Sequence, residues 1–251
     1  MKPSLPVDEI SMRPKLSFLS SEDKEKISRA ALQILSEIGM KIFQDEALTL
    51  LKGAGCPVAD DRVAKIPAEL VQQAIATAPS NILMYNREGQ QAMDLGGHRS
   101  YYGTGSDLIY SLDPRSLQRR RSLLADVVRA ARVADALPNL DFIMSFANPS
   151  DFEPGQGYLR SFQAMAANSI KPIVCTADNR NDLSAMWKIA CILRGSEEAL
   201  RTKPYAIYYG EPVSPLKFPV DSVDKLLFCA EKFIPAIFSP APIAGSTAPT
   251  D

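Results

Sequence analysis

The second half of the sequence repeats one unit, a short apolar strand followed by an amphipathic helix. Strand-like runs begin near residues 140, 172, 205 and 235, and a helical pattern fills most of each interval. A repeat of about 30 residues is typical of right-handed β–α–β crossovers, which set parallel strands side by side. The runs are apolar on both faces, as in a parallel sheet that is covered by helices. The pattern therefore predicts an α/β fold.

Two architectures share this repeat, a doubly wound sheet and a closed β/α barrel. No G-x-G-x-x-G or G-x-x-x-x-G-K-[ST] motif follows a predicted strand, which favours the barrel. A barrel needs eight units, whereas the pattern contains four, so we expect about half of a TIM (β/α)8-type barrel; the alternative is a complete α/β sandwich. The predicted strands are Leu140–Phe146, Pro172–Thr176, Tyr205–Tyr209 and Pro235–Ser239, and the predicted helices are 122–137, 158–168, 182–193 and 221–233.

Residues 1–121 have a different pattern and predict an N-terminal α+β cap region, which precedes the incomplete barrel of residues 122–251. Ser20 and Asp23 fit a capping box, and the helix that they begin ends at Gly39. From residue 81 the hydrophobic period changes to two, which predicts an antiparallel meander. Its predicted strands are Ile82–Asn86, Ala92–Leu95, Arg99–Tyr102 and Leu108–Leu112.

The charge balance and the cysteines exclude several classes of protein. The chain has 28 basic and 29 acidic residues, so its surface is not built to bind nucleic acid or an anionic membrane. Four widely spaced cysteines and one histidine, His98, predict neither a disulfide framework nor a metal site. Without a signal peptide or an apolar run of 18 residues, the sequence predicts a cytoplasmic protein.

Four stretches resemble the trimethylamine methyltransferase (MttB-like) family. They are LSEIGMKIFQDEALTLLKGAGCPVADDRVAKIPAELVQQAIATAP, YYGTGSDLIYSLD, RRRSLLADVVRAARVADALPNLDFIMS and PAPIAGSTAPTD. The similarity runs from about Ser20 to the last residue. Family members are β/α barrels much longer than this chain, so the resemblance implies the N-terminal half of such an enzyme in a truncated form. Pyrrolysine-containing and betaine-type members remain alternatives, because the pyrrolysine lies in the C-terminal half.

The resemblance implies a corrinoid-dependent methyltransferase. Such an enzyme moves a methyl group from trimethylamine, or from a quaternary amine such as glycine betaine, to the cobalt of a separate corrinoid protein. The chain then needs no cofactor of its own, and its partners are the amine, the corrinoid protein and either another copy or a complementary C-terminal half. The alternatives are a non-catalytic fragment or remnant and a quaternary-amine-binding domain.

The candidate site residues follow from the place of the site in a barrel, at the C-terminal ends of the strands. Aromatic faces suit a quaternary ammonium, which has no N–H to donate, so Tyr208, Tyr209 and Glu211 are candidate substrate contacts, with Tyr208 and Glu211 preferred. The alternative is that both tyrosines are ordinary strand residues and that Glu211 is solvated. Other side chains that follow predicted strands are Asn148, Thr176, Asp178 and residues 239–242. No catalytic residue and no metal ligand is assigned.

A Gly-rich segment supplies the second group of candidates. The segment contains the candidate substrate-binding residues Tyr102, Gly103, Gly105 and Asp107. Its backbone N–H groups could hold an anion such as a substrate carboxylate. The alternative is a hairpin turn in which the glycines only supply positive φ angles. The nearby basic run, Arg119–Arg121, is predicted to be a solvated loop.

Overall fold

The computed structural model describes residues 17–248 and Thr250. The helices of this part of the chain are α1 (Ser21–Gln33, continued by a π-helical turn, Ile34–Ile38), α2 (Asp45–Gly53), α3 (Ala68–Thr77), α4 (Leu124–Ala136), α5 (Gly157–Asn168), α6 (Arg180–Arg194), α7 (Glu197–Thr202) and α8 (Val220–Lys232). The strands are β1 (Met40–Ile42), β2 (Val63–Ala64), β3 (Asn81–Tyr85), β4 (Gln91–Gly96), β5 (Tyr110–Leu112), β6 (Arg119–Arg121), β7 (Ile173–Cys175), β8 (Ala206–Gly210), β9 (Lys217–Phe218) and β10 (Ala236–Phe238). No helix within these residues is long and apolar enough to cross a lipid bilayer.

Three of the predicted parallel strands form the centre of the molecule. β7, β8 and β10 pair in parallel and lie in chain order. The remaining predicted strand, Leu140–Phe146, is not a regular strand: only isolated bridges form along it, and the φ of 61° at Phe146 ends the extended stretch. Ile143 nevertheless bridges to Ile173, and its carbonyl accepts a hydrogen bond of 2.9 Å from the N–H of Val174. This stretch therefore occupies the position next to β7.

The Gly-rich segment adds one more parallel neighbour to this sheet. Gly103 bridges to Phe142 and Leu108 to Ala147, both in parallel. The segment 102–108, the segment 142–147, β7, β8 and β10 thus lie side by side in the order of the chain. A doubly wound sheet reverses its strand order at a switch point, and no reversal occurs among these five segments.

The prediction of an antiparallel meander is wrong, because the strands pair differently. Instead of four consecutive strands there are two separate hairpins, β3–β4 and β5–β6, and no strand forms at Arg99–Tyr102. The basic run Arg119–Arg121 is not a solvated loop but strand β6, which pairs with β5. The central arginine, Arg120, is only partly exposed because its guanidinium contacts the carboxylates of Asp113 and Asp126.

The hairpin β3–β4 covers one face of the parallel sheet. Met84 and Met93 are fully buried and pack in one cluster with Val174 of β7 and Ile207 of β8. Arg194, at the end of α6, donates hydrogen bonds of 2.7–2.9 Å to the carbonyls of residues 86, 87 and 203. Residue 203 precedes β8, so the hairpin lies at the N-terminal ends of the parallel strands.

The N-terminal part of the described chain forms a small unit near the C-terminal ends of the parallel strands. Its sheet has the order β2–β1–β9, and β9 follows β8 in the chain. Phe218 of β9 stacks on Phe238, at the end of β10, with 5.8 Å between ring centroids. The core of the unit contains Ile42, Leu48, Cys56, Ala64 and Ile66.

The capping box predicted for the first helix is confirmed. The hydroxyl oxygen of Ser20 accepts a hydrogen bond of 3.1 Å from the N–H of Asp23, and the Asp23 carboxylate accepts one of 3.3 Å from the N–H of Ser20. We expect Ser20→Ala to destabilise the protein by about 1 kcal/mol, the usual value of such a cap, in urea unfolding followed by circular dichroism. Ser20→Thr keeps the hydroxyl and serves as the control; an equal loss in both variants would contradict this explanation.

Candidate functional site

Acidic and tyrosine side chains gather at the C-terminal ends of the parallel segments. Asp107 stands at the end of segment 102–108, Asp178 follows β7, and Glu211 follows β8. Two tyrosines share this region, Tyr158 in the first turn of α5 and Tyr209 in β8. We call these five residues the acidic tyrosine cluster. The topology explains their proximity, since parallel strands end at the same edge of a sheet.

Hydrogen bonds and neighbouring charges connect the members of the cluster. The hydroxyl of Tyr209 donates a hydrogen bond of 2.5 Å to the Glu211 carboxylate, which raises the pKa of this tyrosine. Burial, and then the negative charges of Asp107 and Asp178, raise the pKa of Tyr158 to about 12. Both phenols therefore stay neutral at physiological pH, and the charge of the cluster comes from its carboxylates.

A buried lysine supports the loop that carries Asp178. The ammonium of Lys225, in α8, donates hydrogen bonds to the carbonyls of Ala177 at 2.7 Å and Asp178 at 3.4 Å. Burial lowers the pKa of Lys225, while the nearby carboxylates of Asp221, Asp178 and Asp182 oppose this shift. Burial is also the main cause of a raised pKa at Asp178. Lys225 thus fixes the backbone after β7, which positions Asp178.

A polar cleft of about 370 Å³ opens beside the cluster. Tyr158 and Asp178 belong to its wall, which also contains Arg121. Its other lining residues are Asn148, Pro149, Ser150, Phe152, Glu153, Pro154, Gly155 and Gly157. The lining therefore contains two acidic residues, Asp178 and Glu153, and one basic residue, Arg121, a composition that suits a small zwitterion or an organic cation.

The two candidate tyrosines of β8 lie on opposite faces of the sheet, as alternation along a strand requires. Tyr208 is fully buried on the face that is covered by helices, and it packs in one cluster with Cys175, Phe228 and Cys229. Tyr209 lies on the other face, with the hairpin methionines. The structure therefore brings Tyr209 together with the predicted Glu211, and it leaves Tyr208 in the core.

The four candidates in the Gly-rich segment are separated along the sheet. Tyr102 and Gly103 lie beside the start of segment 142–147, whereas Asp107 lies near its end and joins the acidic tyrosine cluster. The segment is not a hairpin turn, because neither Gly103 nor Gly105 has a positive φ; Asp107 does, at 63°. The carbonyl of Gly105 accepts a hydrogen bond of 2.8 Å from the N–H of Phe146.

Tyr158 is the member of the cluster that sequence reasoning missed. Tyr158 lies in the first turn of a helix, so the rule that site residues follow strands does not point to it. The available signal was the preceding loop, residues 154–156, because loops between a strand and the next helix form the site face of β/α folds. Among residues 17–248 and Thr250, no group of three or more His, Cys, Asp or Glu side chains is arranged to hold a metal ion.

Comparisons with known proteins agree on one family. Residues 4–251 match the trimethylamine methyltransferase (MTTB) family. The chain is 26% identical over 233 residues to a trimethylamine methyltransferase of Desulfitobacterium hafniense, covering 92% of this chain and 47% of the relative. It is 27% identical over 239 residues to a glycine betaine methyltransferase of another strain of D. hafniense, covering 94% and 49%.

A trimethylamine methyltransferase of Methanosarcina thermophila is 25% identical over 247 residues, covering 93% of this chain and 50% of the relative. The chain thus spans about half the length of each of these three proteins. Because the family match covers nearly the whole sequence, including every residue of the acidic tyrosine cluster, the chain belongs to the trimethylamine methyltransferase family.

Proposed function

We propose that this chain is part of a methyltransferase that takes a methyl group from trimethylamine or a quaternary amine such as glycine betaine. The acceptor would be the cobalt of a separate corrinoid protein. The names of the relatives support a methylated amine as the substrate. One structural observation supports particular residues as the binding site. This observation is the acidic tyrosine cluster, in which three carboxylates and two neutral phenols meet at one edge of the sheet.

The chemistry of the cluster fits a methylated ammonium group. A quaternary nitrogen offers no N–H, so it is bound by the faces of aromatic rings and by negative charge without directional hydrogen bonds. Tyr158 and Tyr209 supply the rings, and Asp107, Asp178 and Glu211 supply the charge. Arg121, in the wall of the adjoining cleft, would hold the carboxylate of a betaine by charge-assisted hydrogen bonds.

The residues of this chain would act by binding and orientation. The corrinoid of the partner would supply the nucleophile that accepts the methyl group, and the amine would leave with the electron pair of the broken C–N bond. No proton transfer from the protein is required when the donor is quaternary. The cluster would hold the nitrogen so that one methyl group points out of the cleft, and orientation of this kind accounts for a large part of the rate of a displacement reaction.

We also propose that the parallel segments belong to a closed β/α barrel. Five segments in chain order, with helices packed on the outer face, support a barrel over a doubly wound sheet. The remaining strands would come from the half of the relatives that this chain does not match. A second candidate function, an amine-binding domain without transfer activity, uses the same cluster.

Amine binding is the direct test of the cluster. We expect glycine betaine or trimethylammonium to bind the purified chain in isothermal titration, and Glu211→Gln to weaken binding about tenfold by removing one carboxylate, equivalent to about 1.4 kcal/mol. Glu197→Gln, at the exposed first turn of α7, is the matched control and should bind as the unchanged chain does. Binding that is absent, or equal in both variants, would contradict the proposal.

Methyl transfer separates the two candidate functions. The chain is mixed with a corrinoid protein and with the half of the D. hafniense glycine betaine methyltransferase that this chain does not match. Methylation of the cobalt is followed by the absorbance of the corrinoid. Transfer that requires both polypeptides supports the methyltransferase. Amine binding without transfer supports the binding domain.

A further inference from the structure

The loop from β8 to α8 begins with Glu211 and turns back on itself within a few residues. Glu211 is exposed, and its carboxylate accepts the hydrogen bond from Tyr209. Shortly after it, Val213 pairs with Lys217: the backbone N–H of each residue donates to the carbonyl of the other, at 2.8 and 3.0 Å. The element that holds Lys217 therefore also holds the chain directly after Glu211.

The small N-terminal unit holds Lys217 and its neighbours. β9 lies in parallel beside β1, with Lys41 opposite Lys217. The N–H of Lys41 donates a hydrogen bond of 2.9 Å to the carbonyl of Leu216, and the N–H of Phe43 donates one of 3.0 Å to the carbonyl of Phe218. Even a two-stranded hairpin is barely stable by itself in water, so the short β9 keeps its place because β1 lies beside it.

The side chain of Phe218 contacts two other parts of the molecule. It is half-buried and packs against the core of the N-terminal unit. Its ring also stacks on Phe238, at the end of β10, with 5.8 Å between centroids and 27° between planes. Aromatic pairs in this geometry are stabilised beyond the area that they bury, so Phe218 joins the β8–α8 loop to the unit and to the end of β10.

A polar contact holds the other end of the loop, where α8 begins. The side-chain amide of Gln44 donates a hydrogen bond of 3.0 Å to the carboxylate of Asp224, in α8. The amide oxygen of Gln44 accepts one of 2.6 Å from the N–H of Ala47 and so caps α2. The N-terminal unit therefore holds both the loop that follows Glu211 and the helix that follows this loop.

We propose that Phe218 is a positioning residue for Glu211. The N-terminal unit holds the β8–α8 loop through Phe218, and the loop places the Glu211 carboxylate beside Tyr209 and the bound amine. A carboxylate on a free loop would have to be ordered when the amine binds, at a cost in affinity, and a loop that is already held avoids this cost. The inference rests on the proposed function for the amine alone, since the contact of Glu211 with Tyr209 needs no ligand.

The ionisation of Tyr209 tests the positioning without any amine. The hydrogen bond to Glu211 is the largest cause of the raised pKa of Tyr209, so releasing the loop by Phe218→Ala should lower this pKa toward the ordinary tyrosine value. The chain is labelled with ¹³C-tyrosine and titrated by NMR from about pH 7 to about pH 11, and Tyr209→Phe assigns the signal. Fluorescence of Trp187, the one tryptophan of the chain, confirms that each variant stays folded.

Two further variants serve as controls. Phe218→Tyr keeps the stacked ring and should restore the titration of the unchanged chain. Phe43→Ala removes a neighbouring aromatic side chain that is 39% exposed, while its backbone N–H still bonds to β9, so Tyr209 should titrate as in the unchanged chain.

Amine binding tests the consequence for the site. We expect Phe218→Ala to weaken the binding of glycine betaine about fivefold in isothermal titration, less than the loss of the carboxylate itself. In a chain that already carries Glu211→Gln, the same change should weaken binding no further, because both changes act through one carboxylate.

Asp224→Ala is a second way to loosen the loop. It removes the hydrogen bond from Gln44 at a partly exposed side chain and leaves the apolar core unchanged. We expect it to lower the pKa of Tyr209 in the same direction as Phe218→Ala does. If Phe218→Ala does not fold, Asp224→Ala decides the question.

Two outcomes would overturn the inference. One is an unchanged titration of Tyr209 in folded Phe218→Ala, or in Asp224→Ala where the first variant does not fold. The other is a loss of amine affinity that is as large with Glu211→Gln as without it. A lowered pKa of Tyr209 in a chain that binds no amine would sustain the positioning and contradict the proposed function. Amine binding that Phe218→Ala leaves unchanged would contradict the inference and sustain the proposed function.

Discussion

Replacing Gly103 with alanine is expected to destabilise the protein by about 3 kcal/mol, although the change adds a single methyl group. A Cβ atom at this position would lie 2.5 Å from two ring carbons of Phe142 and 2.6 Å from its carbonyl oxygen. The ring could turn, but the carbonyl belongs to the segment that bridges to Gly103 and cannot move without separating the two segments. Overpacking of this kind costs about 1–3 kcal/mol, and a backbone contact places Gly103→Ala at the upper end.

The same segment provides the control. A Cβ atom at Gly105 meets no atom within 4 Å, and the φ of Gly105 is not positive. Gly105→Ala should therefore change the free energy of unfolding by less than about 0.5 kcal/mol. Urea unfolding of the two variants, followed by fluorescence of Trp187, measures the difference. Equal stability of Gly103→Ala and Gly105→Ala would show that the segment does not lie against Phe142.

Asp126→Asn is expected to cost a similar amount, about 3 kcal/mol. The side chain of Asp126 is only 6% exposed and accepts hydrogen bonds from the guanidinium of Arg120 at 2.7 and 2.9 Å, from the N–H of Leu123 at 2.9 Å, and from Arg129. Losing the charge leaves these arginines without their shared buried partner. Removal of one member of a buried ion pair typically costs about 3–5 kcal/mol, and the lower figure applies because both arginines still reach water.

The effect of Asp126 depends on pH in a defined direction. The hydrogen bond from Arg120 is the largest influence that lowers the pKa of Asp126 from its ordinary value of 3.8 to about 2. A carboxyl group whose pKa is depressed by folding contributes fully above its unfolded pKa, and this contribution is lost as pH falls through the folded value. The stability gap between the unchanged protein and Asp126→Asn should therefore shrink between about pH 4 and pH 2.

Unfolding in urea at several pH values measures this gap. Asp60→Asn, in the exposed loop before β2, is the control and should follow the unchanged protein at every pH. A gap that stays constant from pH 6 to pH 2 would contradict the assignment of the stabilisation to the Asp126 carboxylate.

Local sequence rules predicted the elements whose causes are local. The capping box at Ser20 begins α1, and Gly39, with a φ of 82°, ends the helical stretch. The apolar runs at 172, 205 and 235 became β7, β8 and β10, because each run is short and apolar on both faces and amphipathic helices separate one run from the next. These features depend on residues only a few positions apart, so one sequence is sufficient to show them.

The same rules did not predict the pairing between segments that lie far apart in the chain. Segment 102–108 joins the sheet partly through a side chain, since the Thr104 hydroxyl accepts a hydrogen bond of 2.8 Å from the N–H of Met144 and donates one of 3.1 Å to its carbonyl. No hydrophobic period signals such a bond. β9 has only two residues, and it is a strand because β1, far away in the chain, lies beside it.

The candidate site was predictable in its location and only partly in its members. The rule that strand ends carry the site directed attention to Glu211 and Asp178. Alternation along β8 separates Tyr208 from Tyr209, but the sequence does not tell which tyrosine faces the helices, since both faces of the strand are apolar. Tyr158 comes from a helix, and only the folded chain brings it to Asp107.

The position of the β3–β4 hairpin in the chain has a consequence for biosynthesis. Residues 81–96 leave the ribosome well before β7 and β8, the strands that Met84 and Met93 cover. An isolated two-stranded hairpin is barely stable in water, so it cannot hide these methionines alone. Arg194, which joins α6 to the hairpin through hydrogen bonds, must also leave the ribosome before these bonds can form. During translation, the two thioethers are therefore accessible to chaperones and oxidants for as long as α6 and β8 remain inside the ribosome.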